Sequence, residues 1–319
     1  MELPLFDTQQ FDRDDLARRV QKLAMRGVFI GTSSWKYPGW RGKIYDSSRY
    51  MVKGRYSEAR FERHCLEEFS GIFKTVCVDA AYYRFPEPRF IDTIAAQVPG
   101  DFRFTFKVSD EITVKRFANL SRHGVRAGQV NEHFLNADLF CTAFLGSLER
   151  LRDRTGVLIF EFSRFHAEDF KRGREFVEAL DAFLGKLPKG WRYGVEIRNP
   201  GFLQPEYFAA LARHNVTHVF NSWAAMPPIQ EQWALPESRT ADFCAARLLL
   251  KPGRKYQEAV DAFSPYDRIH EPLPEVRATA TAIIREVAEK GKTGKAFIYV
   301  NNRLEGNALE TIKAILDAH

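Results

Sequence analysis

The feature that most constrains the fold is an alternation of short apolar runs with helical segments, repeated eight times along the chain. The runs are rich in β-branched and aromatic residues and are apolar on both faces, as is typical of parallel strands covered by helices. Eight such units in 319 residues predict an α/β fold, a (β/α)8 TIM-type barrel with loop insertions at its C-terminal mouth. The alternative is an open doubly wound sheet, but no glycine-rich GxGxxG turn follows the first run.

The predicted boundaries divide the chain into an N-terminal segment with one helix, residues 1–27, and a single barrel domain, residues 28–319. The strands are predicted at 28–30, 75–79, 102–108, 156–162, 192–198, 216–221, 241–250 and 295–301. The helices are predicted at 12–27, 56–69, 87–98, 131–151, 167–185, 204–214, 273–290 and 305–318. Residues 110–128, 224–238 and 254–270 are predicted to be irregular insertions or loops.

Composition narrows the class of protein. A net charge of +6 with 45% hydrophobic residues predicts a globular protein whose basic excess favours an anionic small molecule or nucleic acid as partner. No apolar run approaches the roughly 18 residues of a membrane span, and the first residues lack signal-peptide features. We therefore expect a cytoplasmic protein without a membrane partner. The four cysteines are scattered and predict reduced thiols. No cofactor is expected, and a monomer is favoured over an oligomer.

Polar residues recur at the carboxyl ends of the predicted strands, which converge on one mouth of a barrel. They are Asp79, Lys107, Glu161, Glu196, Arg198, Asn221, Arg247, Asn301 and Asn302. Charged residues within apolar strands are costly unless they are paired, so their recurrence at one end favours a binding or catalytic site. The alternative is a structural ion-pair network among Lys107, Glu196, Arg198 and Arg247 that closes the barrel.

Glu196 and Arg198 are separated by one residue of a predicted strand, so both side chains are expected to point into the barrel. Arg198 is a candidate for binding a carboxylate or phosphate through two hydrogen bonds. Glu196 is a candidate general base, or a group that orients Arg198 or Lys107. Lys107 is a candidate phosphate contact, oxyanion stabiliser or Schiff-base nucleophile. The sequence alone leaves these roles open.

Aromatic residues follow the first two predicted strands. Trp35 and Tyr37 come after the first, and Tyr82 and Tyr83 after the second, where they could stack on a ring or base of a ligand. A metal site is not expected, because no histidine falls at the end of a predicted strand. The one histidine in a strand is His218, which lies inside the sixth.

Five motifs occur in an order that resembles the YecE-like family, also called domain of unknown function 72. They are Ile-Gly-Thr-Ser-Ser-Trp-Lys-Tyr-Pro-Gly-Trp-Arg-Gly at 30–42, Tyr-Tyr-Arg-Phe-Pro at 82–86, Phe-Thr-Phe-Lys-Val at 104–108, Val-Glu-Ile-Arg at 195–198, and Asn-Asn with Glu-Gly at 301–306. The resemblance extends from about residue 28 to the C-terminus. It implies a TIM-type barrel but no accepted activity. The chain departs from the family pattern at Cys77 and Asp79, and at Glu161.

Three functions follow as hypotheses. The first is an enzyme, a hydrolase or lyase, acting on a phosphate-bearing or nucleic-acid-derived substrate through catalytic Lys107, Glu196 and Arg198. The second is a non-catalytic nucleic-acid-binding barrel that contacts phosphates through the basic loops 41–55, 110–128 and 251–257. The third is a sugar or carboxylic-acid enzyme that pairs Glu196 with Asp79 or Glu161, one of the two having a raised pKa.

Overall fold

Eight parallel strands close into one barrel in the computed structural model, which describes residues 11–290 and 294–319. The strands are β1 (Val28–Thr32), β2 (Thr75–Val78), β3 (Arg103–Lys107), β4 (Thr155–Phe162), β5 (Tyr193–Ile197), β6 (Thr217–Ser222), β7 (Phe243–Leu248) and β8 (Lys295–Val300). Strands adjacent in sequence pair in parallel, and β1 closes the barrel against β8. The predicted (β/α)8 fold is confirmed, and the open sheet is excluded.

Helices cover the outside of the barrel. They are α1 (Arg13–Met25), α2 (Glu58–Ser70), α3 (Pro88–Ala96), α4 (a helical segment over 137–154 that includes a π-helical stretch, Phe140–Leu145), α5 (Gly173–Gly185), α6 (Pro205–Arg213), α7 (Ile229–Ala234), α8 (Tyr256–Phe263), α9 (Pro274–Glu289) and α10 (Ala308–Asp317). Shorter helical turns include Ala80–Tyr83, Asp110–Thr113 and Asn302–Glu305. Among the described helices, none is long and apolar enough to cross a bilayer.

The two-residue periodicity of the strands separates two apolar cores. Val28 and Ile30 of β1 point outward and are buried in the larger core between strands and helices. Phe29 points inward and stacks on Phe297 of β8, with ring centroids 5.2 Å apart. The inner core continues with Cys77, Val157, Ile159, Val219, Ala245 and Tyr299. The barrel is therefore filled with side chains, and its functional groups lie above this inner core, at the C-terminal mouth.

The helix α1 is attached firmly to the outside of the barrel. The side chain of Asp12 accepts a hydrogen bond from the amide of Asp15 at 2.8 Å and so caps the helix. Leu16, Val20 and Leu23 are buried on one face. Residues 1–10 of the predicted N-terminal segment lie outside the described residues.

Four predicted boundaries or loops are wrong. The helix predicted from residue 167 begins at Gly173. The helix predicted from residue 131 begins at Ala137, because the Asn131 side chain instead donates hydrogen bonds to two backbone carbonyls, and Asn136 caps the helix. The loops predicted at 224–238 and 254–270 contain the helices α7 and α8. In α8, the only buried residues are Ala259 and Phe263, four positions apart. Two apolar positions among charged residues are too few to predict a helix from the sequence.

Candidate functional site

The polar groups of the mouth continue the inward-facing rows of the inner core. Ile159 and Ala245 belong to that core, and Glu161 and Arg247 follow them by two residues. Asp79 follows the inner-core residue Cys77 in the same way. Because side chains alternate along a strand, all three charged groups turn toward the barrel axis at its C-terminal end.

Six charged side chains form one network at the mouth, called here the charge cluster. Its members are Asp79, Lys107, Glu161, Glu196, Arg198 and Arg247. At its centre, Glu161 Oε2 lies 2.8 Å from Lys107 Nζ. The same oxygen lies 3.1 Å from Arg198 Nη2 and 3.1 Å from Arg247 Nη1. These cations come from β3, β7 and the end of β5, so closure of the barrel brings them together.

Glu196 lies at the buried end of the charge cluster, and Asp79 lies at its exposed end. Glu196 is fully buried, with Oε1 2.5 Å from Arg198 Nη2 and Oε2 2.7 Å from Arg247 Nη1. Asp79 Oδ1 lies 3.1 Å from Arg247 Nη2, and its side chain is 35% exposed. Glu196 therefore fixes the orientation of both guanidinium groups from below, whereas Asp79 lies at the rim. The ion-pair network considered from the sequence is present, with Asp79 and Glu161 as further members.

Mutual pairing holds members of the charge cluster in their charged forms. Burial raises the pKa of Glu161, but Lys107, Arg198 and Arg247 outweigh burial and hold that pKa well below its ordinary value. Burial lowers the pKa of Lys107, yet Glu161, Tyr82 and Asp79 together outweigh it, so the pKa is raised. The pKa of Arg247 is also raised, because Glu196 and the other acidic groups outweigh burial. A protonated Lys107 is a poor Schiff-base nucleophile, which favours anion binding or charge stabilisation.

Two aromatic rings hold two of the three cations of the charge cluster in place. Lys107 Nζ lies 3.4 Å from the ring centroid of Tyr82, and Arg198 Cζ lies 3.9 Å from that of Trp223. Cation–π contacts of this kind restrict where each charge can sit. Trp223 was not predicted from the sequence. The signal that could have found it is its position two residues beyond Asn221, on the inward-facing row of β6.

Several buried polar atoms at the strand ends have no hydrogen-bond partner among the described residues. They are Nε and Nη1 of Arg198, Nε of Arg247, Oγ of Ser33 and Oδ1 of Asn221. Arg198 is only 4% exposed and Arg247 only 2%. Buried donors of a charged group are costly to leave unpaired. An oxygen atom of water or of a ligand that reached these N–H groups would satisfy them.

The three predicted asparagines bind the backbone of the mouth. Asn301 Oδ1 accepts a hydrogen bond from the amide of Arg303 at 3.0 Å, and Asn302 Oδ1 accepts one from the amide of Ala308 at 2.7 Å. Asn221 Nδ2 donates to carbonyl oxygens of β5 and β6. These contacts hold the strand ends and the turns after β8 in place, so the structure gives the amides a supporting position.

The predicted aromatic residues other than Tyr82 lie outside the charge cluster. Trp35 is 7% exposed, and Tyr37 packs edge-on against Tyr266, with ring centroids 5.9 Å apart. Burial raises the pKa of the Tyr37 hydroxyl above its ordinary value. Tyr83 is 61% exposed, and the guanidinium carbon of Arg122 lies 4.9 Å from its ring. Trp35 and Tyr37 are thus packed against neighbouring side chains, whereas Tyr83 lies on the surface.

Within residues 11–290 and 294–319, no group of three or more His, Cys, Asp or Glu residues is placed to hold a metal ion. His218 is buried in β6 with Nδ1 3.0 Å from the hydroxyl of Tyr207, and burial lowers its pKa to about 4. The four cysteines are free. Burial raises the pKa of the Cys77 thiol, which makes it a poor nucleophile.

Comparison with known proteins gives one family. The sequence profile described as "Protein of unknown function DUF72" matches residues 29–319. The chain is 27% identical over 175 residues to the UPF0759 protein YecE of Escherichia coli strain K12, and equally to that of Escherichia coli O157:H7. These matches cover 55% of this chain and 50% of each relative. The chain thus spans about half the length of the curated relatives it matches.

Two crystal structures of DUF72 family proteins have the same fold. The protein from Thermotoga maritima MSB8 has a TM-score of 0.59 at 18% identity, covering 91% of this chain and 98% of that one. The protein from Enterococcus faecalis V583 has a TM-score of 0.61 at 17% identity, covering 92% and 97%. At such identities the likeness is one of fold.

Proposed function

Because the chain belongs to the DUF72 family, which is described as being of unknown function, we propose a function from the mouth itself: an enzyme that binds a small phosphate-bearing molecule at the charge cluster. Membership of this family agrees with the five sequence motifs. The proposed activity is supported only by the arrangement of charged side chains at the mouth and by the known affinity of such groups for phosphate.

The observation that carries the proposal is the set of unpaired N–H groups on two nearly buried arginines. Arg198 has Nε and Nη1 free, and Arg247 has Nε free, among the described residues. Phosphate oxygens match the planar fork of a guanidinium group and the point charge of an ammonium. Lys107, whose side chain is 12% exposed, lies beside Arg198 across Glu161 and adds that ammonium. Fixed donors of this kind stabilise negative charge that develops on oxygen during a reaction.

The two buried glutamates have different parts in the proposed site. Glu196 lies under both arginines without exposure, which suits it to positioning them. Glu161 is the more accessible, with its side chain 11% exposed and its Oε2 atom engaged by the three cations. Glu161 is therefore the carboxylate proposed to touch the substrate. Its lowered pKa keeps it ionised, so it contributes charge and orientation more than proton transfer.

The other two functions have less support. A nucleic-acid surface needs free basic side chains, and some in the loops proposed for it are paired: Lys251 and Arg254 with Glu271, and Arg126 with Glu111. A pair of catalytic carboxylates needs one raised pKa, whereas the pKa of Glu161 is lowered. The near-complete burial of Arg198 and Arg247 also suits a small anionic group better than a polymer.

Calorimetric titration tests the proposal. We expect the native protein to bind members of a panel of sugar phosphates and inorganic phosphate, and to bind their unphosphorylated counterparts more weakly. Lys107→Met and Arg198→Lys should each lower phosphate affinity by about tenfold or more, since a hydrogen bond to a charged group contributes about 1.5–3 kcal/mol.

The matched controls are Lys313→Met and Arg150→Lys, which alter cations that pair with Asp317 and Asp92 on the surface. Neither control should change phosphate binding. If every phosphate compound fails to bind, or if folded Lys107→Met binds as tightly as the native protein, the proposal is wrong.

A further inference from the structure

A cavity of about 560 Å³ lies between the N-terminal ends of α5 and α6. Small-molecule sites typically measure roughly 300–1,000 Å³, so this volume suits a ligand of that size. We call it the α5–α6 cleft. Its apolar lining is formed by Val177, Pro200, Phe202 and Ala225, and no member of the charge cluster lines it.

Charged side chains give the α5–α6 cleft a preference for anions. The side chains of Arg164 and Arg174 both line it, and neither guanidinium group forms an ion pair or hydrogen bond with another residue in the described part of the chain. Glu206 also lines the cleft and reduces this positive field without cancelling it. Two unpaired guanidinium groups beside apolar walls match a ligand that has both an acidic group and an apolar body.

We propose that the α5–α6 cleft is a second binding site, which takes a small aromatic carboxylic acid. The flat ring of the acid lies against Val177 and Phe202, and its carboxylate pairs with Arg164 and Arg174. This site is independent of the function proposed for the mouth, because the two share no lining residue.

Gly201 offers a steric test of the cleft. It lines the cavity, and a Cβ built on it would meet no atom within 4 Å. A leucine at this position is therefore expected to take up part of the cavity without displacing the backbone. Gly100 has the same open surroundings but lies in the turn after α3, far from the cleft residues in sequence. Gly100→Leu is thus the matched control for Gly201→Leu.

The probe is 2-naphthoate, with the uncharged 2-naphthamide as its comparison, in a calorimetric or NMR titration of the full chain. We expect saturable 2-naphthoate binding that Gly201→Leu abolishes and Gly100→Leu leaves unchanged. Arg174→Gln and Arg164→Gln should each weaken it by about tenfold, the usual effect of losing a charged hydrogen bond. Glu206→Gln should tighten it, whereas Arg172→Gln, next to the cleft but outside its lining, should have no effect.

Other outcomes would overturn the proposal. These are equal affinity for 2-naphthoate and 2-naphthamide, binding that survives Gly201→Leu, or no binding at all. Loss of binding in Lys107→Met with the cleft variants unaffected would place the acid at the mouth instead, and would equally reject the cleft.

Discussion

Glu196 shows how a single buried charge can hold a barrel mouth together. Its two oxygens lie 2.5 Å and 2.7 Å from the guanidinium groups of Arg198 and Arg247, and the side chain has no exposure. A buried ion pair adds little net stability compared with apolar packing, but removal of one partner leaves an uncompensated charge. The role of such a residue is therefore visible mainly in what its loss costs.

We expect Glu196→Gln to lower the free energy of unfolding by about 3–5 kcal/mol, the usual cost of breaking a buried pair. Urea denaturation followed by circular dichroism measures it. The matched control is Asp92→Asn, which removes a carboxylate paired with Arg150 where both side chains are more than half exposed. Its effect should stay within about 1 kcal/mol. An equally small effect of Glu196→Gln would show that Arg198 and Arg247 do not need this charge.

Residue roles at the mouth could be predicted only in part. The strand-end positions of Lys107 and Arg247 could be predicted, because a charged residue inside an apolar run is easily recognised. The partner of each charge was not, since Arg247 contacts Asp79 from 168 residues away. Trp223 was not predicted, because its position on the inward-facing row of β6 indicates the mouth but not which cation its ring covers.

At the level of secondary structure, β1 and β2 approach so closely that one position admits only glycine. A Cβ on Gly31 would lie 2.2 Å from the carbonyl oxygen of Thr75. That oxygen belongs to the backbone of β2, so it cannot rotate away as a flexible side chain would. The structure therefore gives Gly31 a packing role, because the backbone of β2 leaves no room for a side chain there.

We predict that Gly31→Ala destabilises the protein by at least the roughly 1–3 kcal/mol that overpacking of a core typically costs. Thermal or urea unfolding gives the value. Gly71→Ala is the comparison, because the nearest atom to its added Cβ, the carbonyl oxygen of Glu68, is 3.2 Å away. A Gly31→Ala variant as stable as Gly71→Ala would mean that the strands can separate without cost.

Strands were easier to predict than the elements between them. All eight runs that are apolar on both faces became barrel strands, because burial on both faces leaves little freedom in composition. The helices α7 and α8 were missed, since each buries only a narrow apolar face within a stretch rich in proline or charge. Short helices of this kind depend on packing more than on propensity.

For the molecule as a whole, the stability of the barrel is expected to depend on pH through His218. Burial lowers its pKa from 6.5 to about 4, so the folded protein takes up the proton less readily than the unfolded chain. The free energy of unfolding is therefore unaffected by His218 above about pH 6.5. It decreases as the pH falls from 6.5 toward 4, because the unfolded chain is protonated first. The total is about 3 kcal/mol, at 1.36 kcal/mol for each pKa unit. The lowered pKa of Glu161 adds a further loss at still lower pH.

Unfolding free energies measured by urea from pH 7 to pH 4 check this expectation. The His218→Asn variant, which keeps a polar group near the Tyr207 hydroxyl, should lose less stability over this range than the native protein. His64→Asn alters a histidine whose side chain is 43% exposed and should leave the native profile unchanged. Parallel profiles for the native protein and His218→Asn would contradict the assignment.

The sequence by itself determined the class of fold and the shared inward face of Glu196 and Arg198. Both depend on local pattern, since eight apolar runs alternate with helical segments and residues two apart in a strand share a face. Only the tertiary structure decided which charges meet, because strands far apart in sequence converge when the barrel closes. Closure made Glu161 the centre of the charge cluster and left N–H groups of Arg198 and Arg247 unpaired. It also placed α5 beside α6, which forms a cleft that no sequence motif predicted.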